Sequence, residues 1–195
     1  MKDELLDVVK EGGIAIIPTD TVYGIVCDAL NEESVRRVYE IKNRDYSKAM
    51  IILVSDEDML NKYVSNISPL EQEIINKYWP GPLTIIFKKK NIPNIVTSNT
   101  DEIGIRMPKD EALINLIKRL DKPIVATSAN ISSQKTITNV SLLEKEIKDL
   151  VDYIEDDGTI ENESSTIIKV INNNEVKIIR HGKLASILSR EYNCI

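Results

Sequence analysis

Three cationic side chains stand within one seven-residue stretch of the chain: Lys42, Arg44 and Lys48. Residues two apart point to different faces of a helix but to the same side of an extended segment. If Asn43 ends a preceding helix, Lys42 and Arg44 can therefore reach one ligand, and clustered cations suit a triphosphate. The alternative is a solvated helix end, whose cations interact favourably with the helix dipole.

Polar side chains follow two apolar runs that have the length of buried strands. The run 14–17 is followed by Thr19, Asp20, Thr21 and Tyr23. The run 124–127 is followed by Ser128 and Asn130, which share one side of an extended segment. Open α/β sheets bind ligands where their strands end, so both groups are candidate ligand contacts. A polar turn that hydrogen-bonds itself is the alternative for the first group, and a capping turn is the alternative for the second.

Two arginines occupy similar positions in the chain. Arg106 lies at the end of a predicted strand before Pro108, and Arg180 ends the predicted strand 175–180. Surface ion pairs would explain either residue alone. Their common placement beside the other strand-end groups favours a shared anion pocket.

The sequence lacks the common nucleotide and metal motifs. It contains no Gly-x-x-x-x-Gly-Lys-Ser/Thr, no Gly-x-Gly-x-x-Gly and no metal-binding cluster of Cys and His. His181 is the only histidine, so a Ser-His-Asp or Cys-His catalyst would have to use it. Nucleotide chemistry would therefore rest on lysine, arginine, hydroxyl groups and backbone amides.

The elements that must position these residues alternate along the chain. Apolar periodicity predicts helices over 2–10, 32–42, 69–78, 111–120, 141–150 and 184–190, with a short helix after Ser55. Asn31, Ser68 and Asp110 are the predicted N-caps of three of them, and Ser141 opens a fourth. Strands are predicted over 14–17, 49–54, 83–87, 102–107, 124–127, 166–171 and 175–180, the last two joined as a hairpin. The order predicts one α/β domain over residues 1–195, with a mixed parallel and antiparallel sheet flanked by helices.

Composition narrows the class of protein. The 195 residues are 42% apolar and 29% charged, which is typical of a soluble globular domain. A net charge of −6 argues against a general nucleic-acid binder, which needs excess lysine and arginine. Cys27 and Cys194 are far apart, which favours free thiols in a reducing compartment. With no signal-peptide core and no membrane-length apolar run, we expect a cytoplasmic protein without a membrane partner.

The polar and cationic groups belong to a longer ordered series of motifs. The series is Pro18-Thr-Asp-Thr-Val-Tyr-Gly24, Lys42-x-Arg44 with Lys48, Trp79-Pro-Gly-Pro-Leu-Thr84, Gly104-Ile-Arg-Met-Pro108, Ala126-Thr-Ser-Ala-Asn130, Ser165-Thr166 and Ile179-Arg180-x-Gly182. Together these motifs closely resemble the YrdC family of threonylcarbamoyl-AMP synthases, in its short form, over residues 12–187.

The resemblance implies a twisted sheet with a concave, positively charged cavity. It implies synthesis of threonylcarbamoyl-AMP from L-threonine, bicarbonate or CO₂, and ATP, with release of pyrophosphate and with Mg²⁺ entering on ATP. It also implies that a downstream threonylcarbamoyl transferase complex uses the product to modify tRNA beside the anticodon. Contact of this chain with tRNA would then be indirect or weak.

The resemblance also implies roles for individual residues. The family's KxR…SxN nucleotide site, and hence its catalytic set, corresponds to Lys42, Arg44, Ser128 and Asn130. Further ATP contacts correspond to Lys48, Thr136 and Arg180, and positions near the threonine correspond to Thr21, Arg106 and Ser165. Asp45 departs from the family pattern, in which a proline commonly follows the arginine, and its carboxylate could pair with a cation or help to hold Mg²⁺.

Two other functions fit parts of the same pattern. A non-catalytic RNA-binding module would use the same concave basic surface, although the acidic total charge disfavours it. A carbamoyl-adenylate-forming enzyme would resemble the related domain of hydrogenase-maturation carbamoyltransferases. Those much longer chains carry zinc-finger and acylphosphatase regions that have no counterpart in this sequence.

Overall fold

The structure is a computed structural model that describes residues 3–132, 134, 136–160 and 163–195. Within these ranges the helices are α1 Asp3–Lys10, α2 Glu32–Ile41, α3 Glu57–Tyr63, α4 Pro69–Tyr78, α5 Glu111–Leu120, α6 Lys145–Lys148 and α7 Ala185–Glu191, with a 3₁₀ turn at Val140–Leu142. The strands are β1 Ala15–Ile17, β2 Gly24–Asp28, β3 Ile51–Leu53, β4 Leu83–Lys88, β5 Glu102–Arg106, β6 Ile124–Ser128, β7 Tyr153–Ile154, β8 Thr166–Asn172, β9 Glu175–Arg180 and β10 Asn193–Cys194.

The described strands form one sheet in the order β10-β9-β8-β4-β5-β3-β6-β2-β1-β7. Parallel pairing joins β3 to β5, β4 to β8, β1 to β7 and β9 to β10. The remaining neighbours are antiparallel. The predicted α/β fold with a mixed sheet and helices is therefore confirmed.

The two faces of the sheet differ in burial. Along β5, Ile103 and Ile105 are buried in the main core with the apolar residues of the helices, whereas Gly104 between them is only half-buried. On β4, Ile86 is likewise half-buried between two buried residues, Ile85 and Phe87. Successive residues of a strand point to opposite faces, so Gly104 and Ile86 belong to a second, more open face.

Three predicted N-caps are confirmed by their hydrogen bonds. The side chain of Asn31 accepts from the amides of Glu33 and Ser34, and that of Asp110 accepts from Leu113 N. Ser68 and its capping-box partner Glu71 begin α4 with Pro69 at the first turn. Each cap satisfies amide groups that a helix start leaves without intrahelical partners.

Two sequence predictions are wrong. No strand was predicted over residues 24–28, but β2 lies there, is buried along its whole length and pairs with both β1 and β6. The predicted helix over 141–150 is interrupted at Leu143 and Glu144, whose backbones are extended. Asn139, not Ser141, provides the cap there, since its side chain accepts from Ser141 N.

Other differences concern short elements. Strands β7 and β10 have two residues each and carry too little local pattern to be predicted. The predicted hairpin between β8 and β9 is confirmed, with register shifts that the sequence did not indicate. Residue 2 of the predicted first helix lies outside the described residues.

Candidate active site

A cavity of about 300 Å³ lies over the open face of the sheet. Six of the ten predicted site residues line it: Thr21, Arg44, Arg106, Ser128, Ser165 and Arg180. Thr19, Thr127 and Ser164 add further polar groups, and the apolar lining comes from Val22, Gly24, Ala49, Met50, Ile51, Leu53, Ile86, Gly104, Ala126, Ile167 and Ile179. An apolar pocket with a few convergent polar groups is the usual form of a small-molecule site.

The floor of the cavity is built by neighbouring strands in register. Ile51 of β3 lies opposite Gly104 of β5 and Ala126 of β6, and Ile86 of β4 lies opposite Gly104 on its other side. A Cβ at Gly104 would come within 3.3 Å of both Ile51 Cγ1 and Thr84 Cγ2. Because glycine has no side chain, the middle of the floor leaves space in which a flat group can lie against aliphatic side chains.

The polar groups stand at two opposite ends of this floor. Arg106 is two residues beyond Gly104 and Ser128 is two residues beyond Ala126, but β6 runs antiparallel to β3 whereas β5 runs parallel to it. Measured along the strands, the two residues are thus about four positions, or about 13 Å, apart. The strand ends therefore bring Arg106 and Ser128 to one cavity but not to one edge of the sheet, because β5 and β6 run in opposite directions.

The Arg106 end of the cavity comprises Thr21, Arg106, Ser165 and Arg180. Arg106 is 5% exposed, and its Nη1 donates to Asp20 Oδ1 over 2.7 Å. Its Nη2 lies 3.5 Å from Thr21 Oγ1. A second bond fixes Asp20, whose Oδ2 accepts from Lys109 N over 3.0 Å. The polar turn of the sequence prediction therefore exists, but its carboxylate orients an arginine on the cavity wall.

Arg180 is held at the same end by neutral oxygens. Its Nε and Nη2 donate to Ser165 O at 3.1 and 2.8 Å, and Nη2 also donates to Ser165 Oγ at 2.9 Å. Thr84 Oγ1 lies 2.9 Å from the same hydroxyl. A bulge in β9 places Ile179 between the residues paired with Ile167 and Ile168, which re-aims Arg180 towards the cavity. Burial, and then the charge of Arg106, lower the pKa of Arg180.

The Ser128 end comprises Arg44 and Ser128, with Lys42 beneath them. Arg44 Nε donates to Lys48 O at 3.0 Å and Nη2 donates to Ala49 O at 2.8 Å, so the turn after α2 folds around the guanidinium. Lys42 is buried, and its Nζ donates to Ser128 O and, at 2.6 Å, to Asn130 O. Burial, and then Arg44, lower the pKa of Lys42 to about 7.

Four predicted site residues do not line the cavity. Lys42 braces the turn after β6 from below, and Asn130 closes that turn by donating to Ile131 O and Gln134 O. The side chain of Lys48 is exposed, and Thr136 is half-buried outside the lining. Their direct contact with a nucleotide stays a prediction.

Comparisons with known proteins place this chain in a family. The family model Sua5_yciO_yrdC, which carries the description "Telomere recombination", matches residues 7–182. The chain belongs to this family. It is 44% identical over 184 residues to a putative threonylcarbamoyl-AMP synthase of Methanocaldococcus jannaschii, covering 93% of this chain and 84% of that protein.

Two Pyrococcus abyssi comparisons agree with this assignment. A threonylcarbamoyl-AMP synthase of that organism is 32% identical over 151 residues, or 77% of this chain and 44% of the relative. The crystal structure of P. abyssi Sua5 complexed with L-threonine matches with a TM-score of 0.90 at 28% identity, over 98% of this chain and 58% of that one. The chain thus spans about half the length of these two longer relatives.

Within this Sua5/YciO/YrdC chain, Asp45 does not face the cavity. Its Oδ1 accepts from Ser47 N at 2.8 Å, and this hydrogen bond is the main cause that lowers the pKa of Asp45. Among the described residues, no three His, Cys, Asp or Glu side chains lie close enough together to hold a metal ion. No helix in the same part of the chain is both long and apolar enough to span a membrane.

The hydrogen-bond partners of three residues that shape the site were not identified from sequence. Asp20 and Thr84 stand in motifs of the family, but their partners Arg106 and Ser165 are 86 and 81 residues away. Tyr23 is buried, and its hydroxyl donates to Gly158 O at 2.8 Å and accepts from Asp157 N at 2.9 Å.

Proposed function

We propose that this chain synthesises threonylcarbamoyl-AMP from L-threonine, bicarbonate or CO₂, and ATP, releasing pyrophosphate. The observation that carries the proposal is a cavity with arginines at both ends, in a chain 44% identical to a putative threonylcarbamoyl-AMP synthase. One end can hold an amino acid and the other a nucleotide, with the reacting groups meeting between them.

The charges of the two ends support this division. Asp20 compensates Arg106, so the Arg106 end suits the single negative charge of an amino-acid carboxylate. Arg44 and Arg180 donate to neutral oxygens and keep their full positive charge, which suits phosphate groups. Arg180 stands at the Arg106 end, so the phosphates would extend from Arg44 across the floor towards it.

The reaction requires the protein to align its substrates, and it does not require a nucleophile from the protein. The threonine amine attacks the carbon of CO₂ or bicarbonate and forms a carbamate, with water leaving when bicarbonate enters. A carbamate oxygen then attacks the α-phosphorus of ATP, and pyrophosphate leaves. Fixed guanidinium and hydroxyl groups orient the reactants and stabilise the phosphate charge in the transition state. We expect Mg²⁺ to enter on ATP, where it would neutralise phosphate charge.

The wider role follows from the product. We expect a cytoplasmic threonylcarbamoyl transferase complex to consume the adenylate and modify the tRNA adenosine beside the anticodon. Direct binding of tRNA by this chain would be weak, because its net charge is −6.

Pyrophosphate release from ATP and Mg²⁺, with bicarbonate and each amino acid supplied in turn, tests the proposal. We expect release with L-threonine and little with the other amino acids, and a mass spectrum that contains threonylcarbamoyl-AMP. Carbamoyl phosphate, supplied in place of threonine and bicarbonate, tests a carbamoyl-adenylate enzyme. Absence of the threonine-dependent adenylate would refute the proposal.

A further inference from the structure

Asp20 holds Arg106, a residue of the cavity wall, through an ion pair. The side chains of Asp20 and Arg106 are 11% and 6% exposed, and 2.7 Å separates Asp20 Oδ1 from Arg106 Nη1. Asp20 is absent from the cavity lining, whereas Arg106 is part of it. The other oxygen of Asp20 accepts from Lys109 N, so the backbone that follows β5 fixes the carboxylate.

This ion pair leaves donors for a ligand. A guanidinium carries five N–H groups in one plane. The described contacts of Arg106 use one hydrogen on Nη1, towards Asp20, and one on Nη2, towards Thr21. The remaining N–H groups keep a fixed direction, because a short ion pair and a buried site prevent rotation of the group.

The ion pair also sets the charge of this end of the cavity. Arg180 lies near enough to Arg106 for the two positive charges to interact, and Arg180 itself is bonded to the neutral oxygens of Ser165. Without Asp20, two uncompensated cations would stand together at the Arg106 end. Such an end would favour a polyphosphate over a carboxylate.

We infer that Asp20 is a positioning residue that acts through Arg106: it fixes the guanidinium for the carboxylate of the amino-acid substrate and prevents the phosphates of ATP from binding Arg106 in place of that carboxylate. The inference rests on the proposed function, which it deepens by separating the subsites of the two substrates. Asp20 need not touch either substrate.

The variant Asp20→Asn tests both parts of the inference. We expect the KM for threonine to rise about ten- to a hundredfold, as for loss of a charge-assisted contact, with kcat changed less than threefold. We also expect high ATP concentrations to inhibit Asp20→Asn competitively with threonine, which a merely structural change would not produce. In an Arg106→Gln background, Asp20→Asn should have no further effect on the KM for threonine.

Asp28→Asn is the matched control. Asp28 also contacts a cation, Lys122, at 2.6 Å, and also accepts from a backbone amide, Leu30 N, but Lys122 does not line the cavity, whereas Arg106 does. We expect comparable destabilisation with an unchanged KM for threonine. If Asp20→Asn fails to fold, Asp20→Glu retains the charge, moves the carboxylate by one methylene and should raise the same KM.

A measurement without substrate separates this inference from the proposed function. In NMR spectra of protein labelled with ¹⁵N-arginine, the guanidinium signal of Arg106 is the one that Arg106→Lys removes. This signal should show slowed rotation of the guanidinium in the wild type and in Asp28→Asn, and faster rotation in Asp20→Asn. If the wild type releases no pyrophosphate, the proposed function is wrong and this signal still tests the positioning. Unchanged rotation, an unchanged KM for threonine, or an undiminished effect in the Arg106→Gln background would overturn the inference.

Discussion

A methyl group at Gly182 would strike the backbone that carries Ser165. The added Cβ would lie 2.3 Å from Ser164 O and 2.8 Å from both Ser165 C and Thr166 N. These are backbone atoms, so no side-chain rotation can relieve the contacts. Restoring an ordinary contact of 3.4 Å requires the end of β9 and the start of β8 to separate by about 1 Å.

The cost of Gly182→Ala follows from that separation. Overpacking a tight site costs about 1–3 kcal/mol. A shift of about 1 Å also lengthens the bonds from Arg180 to Ser165 O, now 2.8 and 3.1 Å, beyond hydrogen-bonding distance, at about 1 kcal/mol each. We expect a loss of about 3–5 kcal/mol in the free energy of unfolding, or roughly 6–20 °C in Tm for a chain of this size. Because Arg180 and Ser165 move with the strand ends, turnover should fall about a hundredfold.

Thermal unfolding and threonine-dependent pyrophosphate release measure the two effects. Gly158→Ala is the matched control, because Gly158 has a φ of +76° and nothing within 4 Å of its added Cβ. The control should lose about 1 kcal/mol through backbone strain and keep its turnover. If Gly182→Ala has the Tm and the turnover of the wild type, the close approach of the backbone after β9 to Ser165 does not position the site.

Three further predictions concern the buried and half-buried cations. Arg44→Ala should raise the KM for ATP at least tenfold with little effect on Tm, since the half-buried guanidinium donates to carbonyl oxygens of its own turn; equal losses for both substrates in steady-state kinetics would contradict this. Arg106→Lys should weaken threonine more than ATP in calorimetric titrations and Arg180→Lys the reverse, because an ammonium keeps the charge and loses the planar fork; the opposite pattern would show that the two subsites are exchanged. The pKa of Lys42 in the folded chain is about 7, which is below its value in the unfolded chain. At a pH between these two values the unfolded chain binds more protons than the folded chain, so the free energy of unfolding rises with pH. Urea unfolding at pH 7, 8 and 9 should show this slope, to which Lys42 contributes at most about 1.4 kcal/mol per pH unit. The slope should be smaller in Lys42→Met, and identical slopes in the two proteins would refute the prediction.

The parts of the fold that sequence predicts are those with a local cause. Asn31, Ser68 and Asp110 each cap a helix by accepting a hydrogen bond from an amide within three residues. The capping residue and its partner therefore lie in the same short stretch of sequence, where the capping pattern can be recognised. Strand β2 has no comparable local signal. Its burial comes from pairing with β1 and β6, the second of which is about a hundred residues away in the chain.

The same distinction applies to the site. Strand-end reasoning singled out Arg106 and Arg180, and the family resemblance added Ser165; the structure places all three in the cavity lining. Sequence motifs do not show that Ser165 holds Arg180 or that Asp20 holds Arg106, because these contacts depend on the order and direction of strands. The separation of Arg106 from Ser128 across the floor depends on strand direction in the same way.

The different cations of the site respond to burial in different ways. Lys42 can lose its proton, and a neutral amine still has two N–H groups for Ser128 O and Asn130 O, so it can brace the turn without a counter-ion. An arginine stays charged in a protein and needs an anion nearby when it is buried. Asp20 supplies that anion for Arg106, whereas Arg44 and Arg180 face the cavity bonded to neutral oxygens. The positive charge that remains at these two arginines is therefore available to a bound phosphate, and it is the reason that we expect ATP, more than threonine, to stabilise the folded chain.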